Sequence, residues 1–155
     1  MPREAQRVVF DCVACAQAII NPNGPAGKCL ELARDGALHL CISEYFLTEI
    51  RELPDKLAPR LRITPQKVEQ FILDLLTFSR RVTQIPEVYV LERDPDDSHY
   101  INLAIAVGAK LITTRDRDLL DLMDDHREEA VDFIRRFTEI RIITPEALLK
   151  QIAVG

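Results

Sequence analysis

Four carboxylate side chains stand where the sequence predicts strands to end or the following helices to begin. Asp11 follows a short apolar run at 7–10, and Asp116 follows the run at 110–114. Because binding sites in a parallel sheet form beyond the carboxyl ends of the strands, acids at these places can converge. Mg²⁺ and other hard cations prefer carboxylate oxygens as ligands. The pattern suggests one metal cleft, built from Asp11, Glu49, Asp97 and Asp116.

Each of these acids, taken alone, also has an ordinary structural interpretation, which stays open at this point. Asp97 begins a predicted helix, where Asp commonly caps the free backbone N–H groups. Asp116 lies in a turn sequence, which short polar side chains favour. Glu49 precedes the inward-facing Ile50 on a predicted helix and can equally be a solvated residue. Spacing alone does not show that the four side chains meet.

The elements that must position these acids alternate between strands and helices. Apolar runs predict strands at 7–10, 38–42, 88–91, 110–114 and 140–143. Helical spacing and capping residues predict helices at 12–20, at 26–34, from Ser43 to Pro54, at 65–80, from Asp97 to Gly108 and after Thr144. This alternation predicts an α/β fold, a three-layer α/β/α sandwich around a mostly parallel sheet of about five strands. We expect a single domain over residues 1–155.

The composition restricts the classes of function. The chain has 155 residues, 47% of them apolar, and a formal net charge of −5. No apolar run is long enough for a membrane span, and the first residues do not resemble a signal peptide, so we expect a cytoplasmic protein with no membrane partner. The acidic balance argues against non-specific coating of duplex DNA, which requires a basic surface. It leaves open a nucleic-acid enzyme whose acids hold metal ions.

Four cysteines occur at positions 12, 15, 29 and 41. Without a secretion signal, reduced thiols are the favoured interpretation. Cys12 and Cys15 form a CxxC pair, a spacing that also occurs in redox and zinc sites. The surrounding run is apolar, however, and no second ligand pair follows at zinc spacing. We therefore expect both side chains to be small buried hydrophobes.

The most distinctive stretch runs from Arg93-Asp94-Pro95-Asp96-Asp97 into Asn102–Ala109. Shorter motifs precede and follow it at Val8–Asp11, Ser43–Ile50, Ile112–Leu120 and Ile142–Glu146. In their order and spacing these motifs resemble the PIN-domain ribonucleases, among them the VapC-like toxins of bacterial and archaeal toxin–antitoxin pairs. The resemblance covers nearly the whole chain.

This resemblance implies a ribonuclease that hydrolyses RNA with the help of Mg²⁺ or Mn²⁺, forms a homodimer and, as a toxin, binds an antitoxin protein. The family's four acids fall on Asp11, Glu49, Asp97 and Asp116, and its hydroxyl before the fourth acid falls on Thr114. Asp118 matches a carboxylate that the family uses less uniformly. The family commonly reads Asp-Thr-Asn-Val where this chain reads Asp11-Cys12-Val13-Ala14. The missing polar side chain leaves the metal acids intact but puts catalytic efficiency in question.

An RNA substrate also requires cations near its phosphates. Arg51, Lys56, Arg60, Arg62 and Lys67 are clustered in the sequence, Arg115 and Arg117 flank Asp116, and Arg80-Arg81 and Arg135-Arg136 form further pairs. Charge runs usually belong to solvated helix faces, so this interpretation stands beside the functional one. The region 44–80 can also form a dimer surface, as in the family.

Two rival functions remain open. An aspartate-based phosphotransfer protein also places Asp at the end of the first strand, but the phosphatases of that kind need a second Asp where this chain has Val13. A non-catalytic PIN-like module that binds RNA or protein is the other rival, and the departure at Cys12 and Val13 favours it weakly. An EF-hand is excluded because the segment after Asp116 lacks the required glycine and ligand spacing.

Overall fold

The computed structural model describes residues 5–57 and 63–154, whose strands form one parallel sheet. The sheet order is β3-β2-β1-β4-β5, and every neighbouring pair is parallel. The predicted α/β class with a sheet of about five strands is thereby confirmed. The strands are β1 (Gln6–Phe10), β2 (Leu38–Ser43), β3 (Ser79–Val82), β4 (Leu111–Thr113) and β5 (Arg141–Ile143).

The central strand β1 marks the point where the winding of the sheet reverses. The chain adds β2 and β3 on one side of β1 and then adds β4 and β5 on the other. The direction of winding thus changes between the neighbouring strands β1 and β4, and such a change opens a crevice at the carboxyl ends of the two strands. Phe10 pairs with Thr113 at the end of this register, so Asp11 and Thr114 leave the sheet side by side.

Helices flank the sheet. The helices are α1 (Cys12–Ile20), α2 (Pro25–Arg34), α3 (Glu44–Arg51), α4 (Leu53–Leu57), α5 (Pro65–Leu76), α6 (Ser98–Val107), α7 (Arg117–Leu120), α8 (Glu128–Arg136) and α9 (Pro145–Val154), with 3₁₀ turns at Pro95–Asp97 and Asp121–Met123. Helix α6 packs against β1, β2 and β4, while α2 packs against β2 and α9. Val8, Val9 and Ile112 are fully buried, as expected for strands of a parallel sheet that is covered on both faces.

The strand predicted at 88–91 is wrong. These residues have no regular secondary structure and pair with no strand, because side chains of α6 satisfy their backbone instead. Asn102 Oδ1 accepts hydrogen bonds from the N–H groups of Val88 (2.9 Å) and Tyr89 (2.8 Å), and Asn102 Nδ2 donates to the Tyr89 carbonyl at 3.0 Å. Ser98 Oγ accepts from the Leu91 N–H at 2.8 Å. The apolar pattern here reflects packing onto a helix.

The third strand lies instead at Ser79–Val82, partly inside the helix predicted at 65–80. It pairs with β2 alone and forms one edge of the sheet, so its two central arginines are exposed and its sequence lacks the apolar signal of a buried strand. Helix α5 ends at Leu76, four residues earlier than predicted.

The helix predicted to end at Pro54 ends earlier, at Arg51. Pro54 lies instead in the first turn of the short α4, where its missing N–H costs no hydrogen bond. The predicted caps are present, since Ser43 Oγ accepts from the Phe46 N–H and Thr64 Oγ1 from the Lys67 N–H, both at 3.2 Å. Gly108, with φ of 66°, ends α6 as predicted. Arg60 and Arg62, two of the predicted cations, lie outside the described residues.

All four cysteines are buried and free of disulfides, in agreement with the reduced-thiol interpretation. Burial raises the pKa of the Cys12 thiol to about 12, which keeps it protonated and unreactive. No helix in the described ranges has both the length and the apolar composition required to cross a membrane.

Candidate metal centre

Three carboxylates meet beyond the ends of β1 and β4. Oxygen atoms of Asp94, Asp97 and Asp116 all lie within 4.8 Å of one another. Asp94 and Asp97 bracket the 3₁₀ turn, which is closed by a hydrogen bond from the Asp97 N–H to the Asp94 carbonyl at 3.0 Å. Asp116 precedes α7 and accepts a hydrogen bond from the Asp118 N–H at 2.8 Å through Oδ1. Local backbone turns therefore hold all three side chains.

The buried Thr114 connects this trio to Asp11. Its backbone N–H donates to the Ile143 carbonyl at 3.0 Å, which fixes it beside β5. Its hydroxyl accepts a hydrogen bond from the Asp116 N–H at 2.9 Å and donates to Asp11 Oδ2. A side chain with both a donor and an acceptor is required here, and a hydroxyl provides both.

Asp11 caps α1 and is almost fully buried. Its Oδ1 accepts a hydrogen bond from the Ala14 N–H at 2.9 Å, and only 2% of the residue is exposed. Burial raises the pKa of Asp11 to about 6, and the neighbouring charges of Asp116 and Glu49 act in the same direction, against the hydrogen bonds from Thr114 and Ala14. Asp11 is outside the tight trio of carboxylates and joined to it through Thr114.

Glu49 is held by two side chains of α6. His99 Nε2 contacts Oε1, and the Tyr100 hydroxyl donates to Oε2 at 2.8 Å. The same hydroxyl accepts a hydrogen bond from the Cys12 N–H at 2.9 Å, which links Glu49 to the start of α1. Burial raises the pKa of Glu49, but the contacts from His99 and Tyr100 outweigh it and lower the pKa below its usual value. Glu49 is therefore an oriented, ionised carboxylate rather than a solvated helix residue.

Glu49, Asp94 and Asp97 line one cleft of about 770 Å³. Burial raises the pKa of Asp97 well above its usual value, and its hydrogen bond and charge repulsion with Asp116, followed by those with Asp94, raise it further. A divalent cation between these oxygens would relieve that repulsion. An all-carboxylate donor set is the set that Mg²⁺ and Mn²⁺ prefer, so the residues present fit such an ion.

The geometry bears on the structural alternatives for Asp97 and Asp116. The Asp97 side chain makes no capping hydrogen bond to α6, although Asp97 occupies the capping position. Asp116 does cap α7, through Oδ1. Capping and participation in the cluster therefore coexist at Asp116, whereas capping does not explain Asp97.

Sequence reasoning missed three residues of this region. Asp94 enters the sequence prediction only within the stretch Arg93–Asp97, and no role is predicted for His99 or Tyr100. The Asp-x-x-Asp spacing around Pro95 is the one signal that could have found Asp94. Asp118, the additional carboxylate, lies outside the trio and forms an ion pair with Arg93 at 3.1 Å.

Several of the predicted cations pair with acids on the surface. Arg51 pairs with Glu69 at 2.9 Å and Lys56 with Glu52 at 3.0 Å, the latter at the edge of the cleft. Such exposed pairs contribute little to stability, and they agree with the interpretation of solvated helix faces. The other pairs are Arg81 with Glu44, Arg115 with Glu146, and Arg136 with Asp132.

Comparison with known proteins connects this geometry to a family. The family model described as "PIN domain" matches residues 7–118, which include all the acids of the cleft. An uncharacterized protein from Methanocaldococcus jannaschii is 32% identical over 148 residues, covering 94% of this chain and 90% of that protein. PIN domains are generally nucleases, so the fold is of a nuclease type with an acidic cluster able to bind metal. The chain belongs to the PIN domain family.

Proposed function

We propose that this protein is a metal-dependent ribonuclease that hydrolyses RNA phosphodiester bonds. The observation that carries the proposal is the convergence of Asp94, Asp97 and Asp116 within 4.8 Å, with Asp11 and Glu49 held at its border. Family membership supports the reaction class, and the carboxylate chemistry supports Mg²⁺ or Mn²⁺ as the ion.

In this proposal some side chains hold the metal ion and others position those side chains. Asp97 and Asp116, together with Asp94, would hold the ion, while Asp11 and Glu49 would bind its water ligands or a second ion. A divalent ion in such a site activates water and stabilises the charge on phosphate and leaving oxygen. Thr114 keeps Asp11 and Asp116 in a fixed relation, and His99 and Tyr100 keep Glu49 facing the cleft. Preorganised carboxylates avoid reorganisation during the reaction.

The finer biological role is also a proposal. We infer from the resemblance to VapC-like toxins that the protein acts as the toxin of a toxin–antitoxin pair, as a cytoplasmic homodimer that an antitoxin protein inhibits. A neighbouring gene for a small antitoxin-like protein would support this role. Co-expression would test it, because a cognate antitoxin should co-purify with the protein and suppress its cleavage of RNA.

A cleavage assay tests the proposed reaction. We expect the wild-type protein to cleave labelled single-stranded RNA with Mg²⁺ or Mn²⁺ and to stop in EDTA. Asp97→Asn and Asp116→Asn should each lose about 100-fold or more in rate, as is usual when charge-stabilising groups at a reaction centre are removed. Asp132→Asn is the matched control, because Asp132 is exposed on α8 and forms only a 3.9 Å pair with Arg136. Equal activity in all four proteins would contradict the proposal and indicate a contaminating nuclease.

A weakly catalytic RNA- or protein-binding module is the second candidate, and one observation favours it. Val13, at the position where the family commonly has Asn, is 45% exposed and offers no polar group. Val13→Asn distinguishes the candidates. A large increase in metal-dependent cleavage from a very low wild-type rate would favour the weak module, while substantial wild-type cleavage would favour the enzyme.

A further inference from the structure

An exposed aromatic ring lies at the rim of the acidic cleft. Tyr45, in the first turn of α3, is 63% exposed and lines the cleft together with Glu49 and Asp97. It precedes Glu49 by four residues, so both side chains lie on the same face of the helix. Among the large apolar side chains exposed on the described part of the chain, Tyr45 is the one aromatic residue, and the others are aliphatic.

The Tyr45 ring is supported from behind by two further rings. Its centroid lies 5.6 Å from that of His99, at an interplanar angle of 28°, and the His99 centroid lies 4.0 Å from that of Tyr100. His99 and Tyr100 are themselves fixed by their contacts with Glu49. One face of Tyr45 is therefore covered by an anchored ring, and its high exposure leaves the opposite face in solvent.

A supported aromatic ring with an open face is the arrangement that stacks with nucleobases. Every base has a π-face, so such stacking tolerates many sequences and strengthens binding of single strands. Bases within a duplex are already stacked on one another, so such a ring reaches only an unpaired base. Binding of the base requires no separate apolar pocket, because the base would cover the face of the Tyr45 ring that is exposed to solvent.

We propose that Tyr45 stacks on an unpaired nucleobase next to the phosphate bound in the acidic cleft, and that it thereby selects single-stranded RNA over duplex RNA. The inference rests on the proposed ribonuclease function and adds a base-binding position to it. Purines offer the larger stacking surface, so RNA with adenine at this position should bind more tightly than RNA with uracil.

Chemical removal of bases tests the stacking directly. Short single-stranded RNAs, each with one abasic nucleotide at a different position near the cleavage site, are compared with intact RNA on wild type, Tyr45→Leu and Tyr45→Trp. For intact RNA we expect the KM of Tyr45→Leu to rise about 10-fold, within the range known for base–aromatic stacking. Tyr45→Trp should retain a KM near that of the wild type, because it keeps a ring. For the RNA whose abasic nucleotide removes the base that stacks on Tyr45, the KM values of wild type and Tyr45→Leu should be equal.

Leu73→Ala is the matched control, since Leu73 is 67% exposed on α5 and does not line the cleft. A Tyr45→Leu defect of the same size on intact RNA and on every abasic RNA would overturn the proposal, because it would show that Tyr45 only supports His99. Stacking would also be contradicted if Tyr45→Trp raised the KM for intact RNA as much as Tyr45→Leu does.

Binding measurements separate this proposal from the ribonuclease function. Fluorescence anisotropy measures the affinity of Asp97→Asn protein for the same RNAs. This variant is used because it should leave the RNA uncleaved during the measurement. Absence of metal-dependent cleavage by the wild type would refute the function alone, and the abasic dependence of binding would still decide the role of Tyr45. If adding Tyr45→Leu to this background left the affinity for intact RNA unchanged, the stacking alone would be refuted.

Discussion

Within residues 5–57 and 63–154, two groups of carboxylate or histidine side chains have the spacing to hold a metal ion, and their surroundings differ. Asp94, Asp97 and Asp116 are all partly buried at the ends of β1 and β4. Asp124, Asp125 and His126 lie before α8, where the Asp125 and His126 side chains are 80% and 93% exposed. We refer to these as the cleft group and the loop group.

The charges around the two groups differ as well. Arg127 pairs with Asp124 at 3.4 Å and offsets part of the loop group's charge. None of the ion pairs formed among the described residues involves a member of the cleft group. Burial and mutual repulsion raise the pKa of Asp97. Proximity of acids therefore does not by itself make a metal centre, whereas partly buried acids that form no ion pair favour one.

The largest expected effect is a loss of stability with rising pH in metal-free protein. Asp11 has a pKa of about 6 in the folded protein against 3.8 in the unfolded chain, so the folded state binds more protons between these values. Stability should fall by up to about 3 kcal/mol as pH rises from about 4 to beyond 6, at 1.36 kcal/mol per pKa unit. The raised pKa of Asp97 extends the decline to higher pH. Urea unfolding in EDTA measures this.

Variants assign the upper part of that decline, above about pH 6, to the cleft group. Asp97→Asn should remove the part above about pH 6, because the uncharged amide no longer repels Asp94 and Asp116. Asp125→Asn should leave the whole decline in place, since Asp125 is in the loop group. With saturating Mn²⁺, the stability of the wild type should instead increase with rising pH, because metal binds the deprotonated carboxylates. If the free energy of unfolding of the metal-free wild type did not change with pH, the proposed difference between the cleft group and the loop group would be contradicted.

The second effect concerns Asp94. Asp94→Asn should raise the Mn²⁺ concentration needed for half-maximal thermal stabilisation by about 10- to 100-fold, as expected when a group that holds or orients metal is lost. Asp124→Asn, the corresponding change in the loop group, should leave that concentration unchanged. Identical metal dependence of the two variants would place Asp94 outside the centre.

A third and smaller effect distinguishes two adjacent buried threonines. Thr114→Val should cost about 1–3 kcal/mol, because it leaves Asp11 Oδ2 and the Asp116 N–H without a partner in a buried place. Thr113→Val should be neutral or stabilising, because the buried Thr113 hydroxyl has no hydrogen-bond partner among the described residues. Chemical denaturation measures both. Equal losses would mean that the order of the cleft group does not depend on the Thr114 hydroxyl.

The smallest effect is expected at Asp118. Its ion pair with Arg93 holds it outside the trio, so Asp118→Asn should change the cleavage rate by less than about threefold, the size usual for an exposed pair. A loss comparable to that of Asp116→Asn would show that Asp118 joins the cleft group during the reaction.

The sequence predicted much of the frame around the cleft group. Asp11 and Asp116 were found because each follows a central, apolar strand, whose signal is strong. Capping residues placed the starts of α3 and α5, and Gly108 placed the end of α6, since their effect on the backbone is local. Glu49 was selected by its place after the second strand and by the family resemblance, and Thr114 by the resemblance alone. The roles of both stay a proposal.

The errors arose where tertiary contacts replaced local patterns. Val88 and Tyr89 look like a strand, but the side chain of Asn102 satisfies their backbone groups. The edge strand β3 is too polar to be recognised before its partner is known. The spacing of Asp94 from Asp97 is visible in the sequence, but the approach of Asp94 to Asp116 is not, because it depends on how β4 and the 3₁₀ turn are packed.

An anomalous diffraction experiment on crystals soaked with Mn²⁺ tests the central claim most directly. The cleft group should show an anomalous peak at about 2.1 Å from carboxylate oxygens of Asp97 and Asp116, the coordination distance of small hard cations. Asp97→Asn crystals should lose that peak, and the loop group should show none in either crystal. Anomalous density at Asp124–His126, with none between Asp97 and Asp116, would contradict the account.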